Sequence, residues 1–228
     1  MKIALIGYGK MGHIIERVAL ERGHEVVCRI DKDNTEDFRS GAFRSADVAI
    51  EFTTPQTAAD NIRSAWQAGV PVVCGTTGWQ EQLPQLKKEL QDNGKALLWS
   101  SNFSIGVNLF FALNRRLAEL MRPYPQYKAQ MTEIHHVHKL DAPSGTAVTL
   151  ASDIGFPTTE ITSVREGEVP GTHIVRYDSK VDTIEIRHEA KSREGFAFGA
   201  VLAAEFLKGK KGYFTMEELL GNCVTVEL

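Results

Sequence analysis

Residues 135–147, HHVHKLDAPSGTA, bring together side chains that carry protons and groups that bind anions. Three histidines, Lys139 and Asp141 precede a Pro-Ser-Gly-Thr turn within this short run. Histidine titrates close to neutral pH, so it can donate a proton under physiological conditions. A neighbouring lysine attracts negatively charged groups. The segment therefore predicts a site that binds and protonates an anion.

The end of the same segment has the features of a helix start. Pro143 suits a first helical position, and Ser144 and Thr146 are candidate caps. Gly145 lets the backbone approach a ligand closely. The N–H groups of Ser144, Gly145 and Thr146 would then form a carboxylate-sized anion pocket at the positive end of a helix. A dicarboxylate that is reduced by hydride fits this pattern, because hydride addition creates a negative centre that an acid must protonate.

Two other interpretations of the histidines are open. Three neighbouring histidines are typical of metal sites, but a strand would place His136 and His138 on one face and His135 on the other. The charge of Lys139 would also repel a cation, so we expect no metal. A solvated strand edge is the second interpretation, and it leaves the capped helix start unexplained.

A second motif, GYGKMG, matches the G-x-G-x-x-G fingerprint of dinucleotide-binding turns through Gly7, Gly9 and Gly12. It follows an apolar run at residues 2–6 and precedes a helical pattern. Asp31 ends the next apolar run, at the distance where an acid binds the ribose hydroxyls. A glycine-rich turn without a cofactor is the alternative, but the strand, the helix and the acid together favour a nucleotide site.

The choice between NADH and NADPH stays open at this point. The carboxylate of Asp31 favours NADH because it repels the phosphate of NADPH, whereas Lys10 and Lys32 are long enough to reach that phosphate. Two further turns, CGTTGW (residues 74–79) and SSNFS (residues 100–104), come at the ends of apolar runs. Phe103 in the second turn is a candidate to stack on the nicotinamide ring. Ordinary strand-to-helix turns, capped by Thr77 or Ser104, are the alternative. The full set of candidate cofactor contacts is Gly7, Gly9, Lys10, Met11, Gly12, Asp31, Lys32, Gly75, Thr76, Thr77, Ser100, Ser101, Asn102 and Phe103.

The elements that must position these residues fall into two groups. Up to residue 102, short apolar runs alternate with helical patterns, which predicts βαβ units and a parallel, doubly wound Rossmann-type sheet. After it, a long helix over residues 104–121 precedes four strand-like runs, which predict a second α+β domain with a mixed or antiparallel sheet. The segments FAFGAVLAAEFLKG and TMEELLG are predicted helices. We expect residues 1–102 and 205–228 to bind the dinucleotide, and residues 103–204 to bind substrate and mediate oligomerisation.

Composition excludes several classes of protein. The chain has 228 residues, 43% of them hydrophobic and 24% charged, with a formal net charge of −3, so no basic field favours nucleic acid or a membrane surface. The three cysteines, Cys28, Cys74 and Cys223, form no CxxC pair and are odd in number, which argues against a secreted disulfide scaffold. No signal peptide or membrane span is apparent, so we expect a cytoplasmic protein.

These motifs resemble the 4-hydroxy-tetrahydrodipicolinate reductase (dihydrodipicolinate reductase) family of bacterial diaminopimelate and lysine synthesis. The matching pieces run along most of the chain: GYGKMG, EFTTP, CGTTGW, SSNFSIGVN, EIHHVHKLDAPSGTA and SREGFAFGA. The resemblance implies NAD(P)H-dependent reduction of 4-hydroxy-tetrahydrodipicolinate to tetrahydrodipicolinate with loss of water, in a homotetramer. A shorter glycine turn and a short segment between Asp31 and Asp47 depart from the family pattern and bear on cofactor preference.

The resemblance also implies roles for individual residues. His135 corresponds to the catalytic acid, and Lys139 to the lysine that aids protonation and binds a substrate carboxylate. His136 corresponds to a substrate-binding histidine, and the turn Ser144, Gly145 and Thr146 to the carboxylate-binding turn. A regular strand would place His135 and Lys139 on one face and His136 on the other, although all three serve one substrate in the family. We therefore expect the strand to end or bend near His135. A dinucleotide-sensing protein and a dehydrogenase acting on an amino-acid semialdehyde are the competing functions.

Overall fold

The computed structural model describes residues 1–93, 95–155 and 160–221. Within these residues the chain divides into two compact units, one containing Met1–Ile105 and residues 194–221, the other containing Gly106–Arg193. Two parts of the sequence predictions lie outside the described residues: Gly94, the expected end of a helix, and residues 222–228 of the expected dinucleotide domain.

Most of the predicted elements are present. The strands are β1 (Lys2–Ile6), β2 (Glu25–Ile30), β3 (Val48–Glu51), β4 (Val72–Cys74), β5 (Ala96–Trp99), β6 (Lys128–His135), β7 (Glu160–Arg165), β8 (Thr172–Asp178), β9 (Thr183–Glu189) and β10 (Gly212–Phe214). The helices are α1 (Lys10–Glu21), α2 (Gly41–Arg44), α3 (Ala58–Gln67), α4 (Leu83–Asn93), α5 (Ile105–Met121), α6 (Gly145–Ile154), α7 (Glu194–Leu207) and α8 (Met216–Leu219). Short 3₁₀ turns cover Thr35–Arg39 and Gln80–Gln82.

The first unit is built on one parallel sheet of six strands in the order β10-β5-β4-β3-β1-β2. Alternate side chains of β1 enter different cores, as the period of a strand requires. Ile3 and Leu5 pack with α1 and α7 on one face, and Ala4 and Ile6 pack with α3 and α4 on the other. Burial on both faces explains why these strands read as continuous apolar runs.

Strand β10 was missed by the sequence analysis. It has only three residues, Gly212–Phe214, all partly buried, and it pairs in parallel with β5 at the edge of the sheet. Three residues are too few to show a period of two, and the preceding lysines resemble a surface loop. Its position in the sheet depends on the return of the chain through α7.

The second unit contains a mixed sheet in the order β7-β6-β8-β9. Strand β6 pairs in parallel with β7 and antiparallel with β8, and β8 pairs antiparallel with β9. A core that includes Phe110 of α5, Leu150 of α6, and Met131, Val175 and Tyr177 of the sheet lies on one face. The predicted fold class, a Rossmann-type sheet with a second α+β domain, is confirmed. Among the described residues, no helix combines the length and the apolar character that a membrane span requires.

Candidate active site

The glycine turn lies at the carboxyl edge of the parallel sheet, between β1 and α1. Gly7 has φ +92°, and a Cβ there would overlap the backbone of Phe52. A Cβ on Gly12 would lie 2.5 Å from the carbonyl oxygen of Gly7, so Gly12 allows α1 to pack against the turn. A Cβ on Gly9 would meet nothing within 4 Å. The protein's own packing therefore requires Gly7 and Gly12 but not Gly9, which leaves space for a ligand at the start of α1.

Two cavities adjoin this turn. One, of about 450 Å³, is lined by Gly7, Gly9, Asp31 and Lys32 together with side chains that follow β3. It lies where the strand order reverses between β1 and β3, the position at which doubly wound sheets bind ligands. The other, of about 330 Å³, is lined by Gly9, Lys10, Met11, Phe52, Thr53, Pro55, Gly75, Thr76 and Thr77. The two cavities share Gly9, Phe52 and Thr53 in their linings, so they adjoin each other at the glycine turn.

Several residues near these cavities were not singled out as contacts from the sequence. Tyr8, Thr35, Phe52, Thr53 and Thr54 line the 450 Å³ cavity. The last three belong to the EFTTP motif, which was quoted for the family resemblance without a role. Its position after β3, at the same sheet edge as the glycine turn, was the available signal, because carboxyl ends of parallel strands meet at one edge.

The turn after β5 differs from its prediction. The Phe103 side chain is only 2% exposed and packs in the core, with its ring centroid 5.8 Å from that of Phe52. The proposed stacking of Phe103 on a nicotinamide is therefore wrong for this structure. Ser100, Ser101 and Asn102 follow the end of β5, but they line neither of the two cavities. Their role as cofactor contacts stays a prediction.

Thr76 has a structural role that the sequence did not indicate. Its side chain is 6% exposed, and its hydroxyl accepts a hydrogen bond from the backbone N–H of Thr53 at 2.7 Å. Its carbonyl accepts hydrogen bonds from the indole N–H groups of Trp79 at 2.7 Å and Trp99 at 3.0 Å. The bond to Thr53 holds the turn after β4 against the turn after β3. Both residues line the 330 Å³ cavity, so this part of its lining is held in place.

In the second unit, β6 ends at His135 and the chain turns immediately afterwards. The expected end of the strand at this residue is confirmed, and the regular ladder does not extend to Lys139. The ring of His136 lies 6.1 Å from that of His138. The Nζ atom of Lys139 lies 2.7 Å from a carboxylate oxygen of Asp141, and this hydrogen-bonded contact lowers the pKa of Asp141.

The segment continues into α6 through Ser144, which is the N-cap. Its hydroxyl accepts a hydrogen bond from the N–H of Ala147 at 3.2 Å, as the sequence predicted for a capped start. Pro143 precedes the cap rather than occupying the first turn, so its predicted position is wrong by two residues. Thr146 lies inside the helix and is not the cap. Ser144 is buried, while Gly145 is exposed at the helix start.

Three residues that the sequence analysis missed surround His135. Glu133, which is fully buried, places a carboxylate oxygen 2.7 Å from Nδ1 of His135. Arg165 of β7 donates to the other carboxylate oxygen at 2.9 Å. His173 of β8 lies with its ring centroid 5.1 Å from that of His135. Glu133 precedes His135 by two residues, so the period of a strand was the signal that both share a face.

Arg165 also fixes the loop that carries Lys139. Its guanidinium donates to the carbonyl oxygens of Asp141 at 2.6 Å and of Lys139 at 3.4 Å. One side chain thus joins the buried Glu133 carboxylate to the loop between β6 and α6. The lysine and the histidine that the sequence singled out are connected through this arginine.

Burial controls the protonation of the histidines. It is the main cause that lowers the pKa of His135, and the nearby positive charges of Lys139 and Arg165 add to it, while the Glu133 carboxylate opposes it. Burial and the proximity of His135 lower the pKa of His173 to about 4, so His173 is neutral at pH 7. Burial alone would raise the pKa of Glu133, but hydrogen bonds from Ser144, Ser163 and Arg165 outweigh it and hold that pKa at about 2.

Comparison with family models decides the family. The model described as "Dihydrodipicolinate reductase, N-terminus" matches residues 1–103, and "Dihydrodipicolinate reductase, C-terminus" matches residues 106–220. This chain belongs to the dihydrodipicolinate reductase family. The family predicted from the motifs is thus confirmed, and so is the predicted enzyme class, an NAD(P)H-dependent oxidoreductase.

Curated relatives agree with this assignment over nearly the whole chain. The 4-hydroxy-tetrahydrodipicolinate reductase of Christiangramia forsetii is 45% identical, and the alignment covers 97% of this chain and 98% of the relative. The enzyme of the same name from Ralstonia nicotianae is 35% identical, with 97% of this chain and 100% of the relative covered. The dihydrodipicolinate reductase match therefore extends through both units.

Solved structures support the fold. The dipicolinate-bound dihydrodipicolinate reductase of Paenisporosarcina sp. TG-14 aligns with a TM-score of 0.74 at 24% identity, covering 94% of this chain and 97% of that one. Aspartate semialdehyde dehydrogenase II of Vibrio cholerae aligns with a TM-score of 0.55 at 14% identity, covering 90% and 97%. Likeness at these identities shows that the fold is shared. It gives no information about the substrate.

Proposed function

We propose that this chain is a 4-hydroxy-tetrahydrodipicolinate reductase of diaminopimelate and lysine biosynthesis. In the reaction, the substrate, NAD(P)H and one proton give tetrahydrodipicolinate, NAD(P)⁺ and water. The observation that carries the proposal is the short connection from β6 to α6, which brings His135 at the strand end, Lys139 and the capped start of α6 within residues 135–145. Membership of the family supports the same reaction.

We assign dinucleotide binding to the first unit. Gly7, Gly9, Lys10, Met11 and Gly12 would hold the pyrophosphate at the start of α1, with Asp31 and Lys32 near the adenosine ribose. Gly75, Thr76 and Thr77 would contact the nicotinamide side, together with Ser100, Ser101 and Asn102. The open space beside Gly9 fits this role, because a side chain there would occupy the start of the helix where a phosphate binds. When bound, the reduced nicotinamide supplies the hydride.

Asp31 and Lys32 line the same cavity, and the Asp31 carboxylate accepts a hydrogen bond from the Lys32 backbone N–H at 2.8 Å. A carboxylate accepts hydrogen bonds from ribose hydroxyls, and an ammonium pairs with a phosphate. This pairing of opposite charges at one position supports the use of both NADH and NADPH.

We assign substrate binding to the connection between β6 and α6. A dicarboxylate would place one carboxylate against the backbone N–H groups of Ser144, Gly145 and Thr146, where the helix dipole favours negative charge. His136 and the Lys139 ammonium would contact the substrate from the preceding loop. The dipicolinate bound to the related Paenisporosarcina protein is also a dicarboxylate. The buried Ser144 hydroxyl already caps α6, so we expect its backbone rather than its side chain to bind.

We assign the proton to His135, with Lys139 as its partner. Hydride addition leaves a negative centre on the substrate, which an acid within hydrogen-bond reach can neutralise. The lowered pKa of His135 makes its charged form a strong donor but a minor species at neutral pH. The rate should therefore fall as pH rises above the pKa of this histidine.

A cytoplasmic location and a homotetramer complete the proposal. Membership of a biosynthetic enzyme family supports the location. The resemblance to the family supports the tetramer, since its members are typically tetramers joined through the sheet of the second unit. Sedimentation velocity on the purified protein tests the tetramer. A monomer at micromolar concentration would contradict it.

The test of the function follows NADH and NADPH absorbance with enzymatically generated substrate. We expect oxidation of at least one nucleotide, and a loss of turnover by about 10² or more in His135→Ala and Lys139→Ala with folding intact. A dinucleotide sensor would bind NADH without oxidising it, and a semialdehyde dehydrogenase would act on an aldehyde instead. Either result contradicts the proposal.

A further inference from the structure

The acidic, basic and imidazole side chains around His135 are placed by the register of three neighbouring strands. Glu133 of β6 is paired directly with His173 of β8, and His135 is paired with Arg165 of β7. Glu133, His135 and His173 are all buried, and Arg165 is partly buried. Burial of this many ionisable groups is costly unless they are paired, so the arrangement requires an explanation beyond packing.

The contact between Glu133 and His135 fixes the position of a proton. Nδ1 of His135 is buried and lies 2.7 Å from a Glu133 oxygen, although the ring N–H is not aimed straight at it. With the pKa of Glu133 at about 2, this oxygen carries only lone pairs at neutral pH. An unprotonated Nδ1 would also present a lone pair, and two lone pairs at this distance repel. Nδ1 therefore bears the proton, and Nε2 is left as the nitrogen that gains and loses one.

The other nitrogen, Nε2, lies close to the backbone of Gly171. A Cβ on Gly171 would lie 3.0 Å from Nε2 of His135, and Gly171 has φ +153°. In the part of the chain that the structure describes, no hydrogen bond involves Nε2. A side chain at position 171 would crowd Nε2, whereas Nδ1 lies beside the Glu133 carboxylate.

We propose that Glu133 is a positioning residue for the acid His135: its carboxylate holds the ring by Nδ1 and directs proton transfer through Nε2. This deepens the proposed function and rests on the role assigned there to His135. Arg165 keeps Glu133 ionised, and its hydrogen bonds to the loop tie the position of Lys139 to the same carboxylate. The charged or titratable groups facing the His135 ring are Glu133, Arg165, His173 and Lys139.

A metal ion is the competing explanation for the same cluster. Ligand atoms of Glu133, His135 and His173 lie within 4.8 Å of one another, which is close enough for a shared cation. However, one Glu133 oxygen is already bonded to the Arg165 guanidinium, and the charge of Lys139 also acts on both histidines. Two cationic side chains at the cluster disfavour a bound cation, so the geometry points to proton transfer.

The test is a double-mutant cycle on turnover with Glu133→Gln, His135→Ala and the double variant. Gln keeps the shape of Glu133 and removes its charge, so the pKa of His135 should fall. The charged acid would then be rarer at pH 7, and kcat/KM should drop about tenfold for each unit of that fall. The alkaline limb of the pH profile should move to lower pH, while the substrate KM changes little. On the His135→Ala background, Glu133→Gln should cost less than twofold.

A second measurement uses the unaltered protein and requires no variant of Glu133. Long-range ¹H–¹⁵N spectra of the full chain, assigned against His135→Ala, report which ring nitrogen carries the proton. We expect a protonated Nδ1 and an unprotonated Nε2 above the pKa of His135. The opposite tautomer overturns the proposal even if Glu133→Gln fails to fold.

The outcomes separate this inference from the proposed function. If His135→Ala keeps full turnover, the assigned acid is wrong. If His135→Ala is inactive but Glu133→Gln leaves the pH profile unmoved, or costs as much on the His135→Ala background as alone, only the positioning role is refuted. Stoichiometric metal in the purified protein that is lost in Glu133→Gln would establish the metal site instead.

Discussion

The buried Glu133 carboxylate should make this protein sensitive to acid in a way that one substitution removes. Its pKa falls from 4.5 to about 2 on folding, and a shift of that size corresponds to roughly 3 kcal/mol of stabilisation. Because the folded pKa lies below the unfolded one, this stabilisation is complete above about pH 4.5. It is lost as pH falls from there towards 2.

We therefore expect Glu133→Gln to be less stable than the unaltered protein by roughly 3 kcal/mol at pH 7 and by almost nothing near pH 2. Protonation of His173, whose pKa is about 4, also destabilises the fold as pH falls from 6.5, and it does so in both proteins. The difference between the two proteins thus isolates Glu133. Glu168→Gln is the matched control, since the side chain of Glu168 is 80% exposed, and it should change stability by less than about 0.5 kcal/mol.

The assay must report on the second unit. The three tryptophans, Trp66, Trp79 and Trp99, all belong to the first unit, so their fluorescence follows the wrong part of the chain. Urea denaturation read by hydrogen-exchange mass spectrometry on peptides covering β6 and β8 is suitable. A difference between Glu133→Gln and the unaltered protein that stays constant from pH 6 to pH 3 would refute the ion-pair reasoning.

Three further predictions concern the two sites separately. Gly9→Ala should weaken NADH binding at least tenfold in a fluorescence titration with an almost unchanged melting temperature, whereas Gly7→Ala should lower the melting temperature; equal effects of both on binding and melting would be contrary evidence. Ser144→Ala should lower the free energy of unfolding of the second unit by about 1 kcal/mol, measured by urea denaturation, and no loss would mean that the cap is not stabilising. Asp31→Asn should raise kcat/KM with NADPH relative to NADH severalfold, because the neutral side chain no longer repels a phosphate; an unchanged ratio would exclude Asp31 as a determinant.

The expected end of β6 near His135 followed from the residue roles that the family resemblance implies. Local patterns were sufficient to predict the strands β1 to β5 and the dinucleotide turn. Each of these depends on neighbours within a few residues, such as the period of apolar side chains or the glycines between β1 and α1. The N-cap Ser144 was predictable for the same reason, although Pro143 lies one residue before the cap rather than after it.

Features that depend on distant segments were not predictable from these patterns. Phe103 follows a strand at the expected edge of the sheet, but α7 covers it, and Gly199 of that helix packs directly against its backbone. Arg165 and His173 reach His135 only through the register of β7 and β8 with β6. Of the buried cluster, Glu133 alone lies near enough in sequence to be found, two residues before His135.

The most direct test of the account is the binding of pyridine-2,6-dicarboxylate, a dianion of the proposed substrate class, to the connection between β6 and α6. We expect it to inhibit competitively against substrate and to bind at least tenfold more weakly to Lys139→Met, while Lys128→Met, at the exposed start of β6, binds as the unaltered protein does. Isothermal titration calorimetry with NADH present measures both affinities. Equal affinity for Lys139→Met and the unaltered protein, or inhibition that is not competitive, would contradict the assignment of the substrate site.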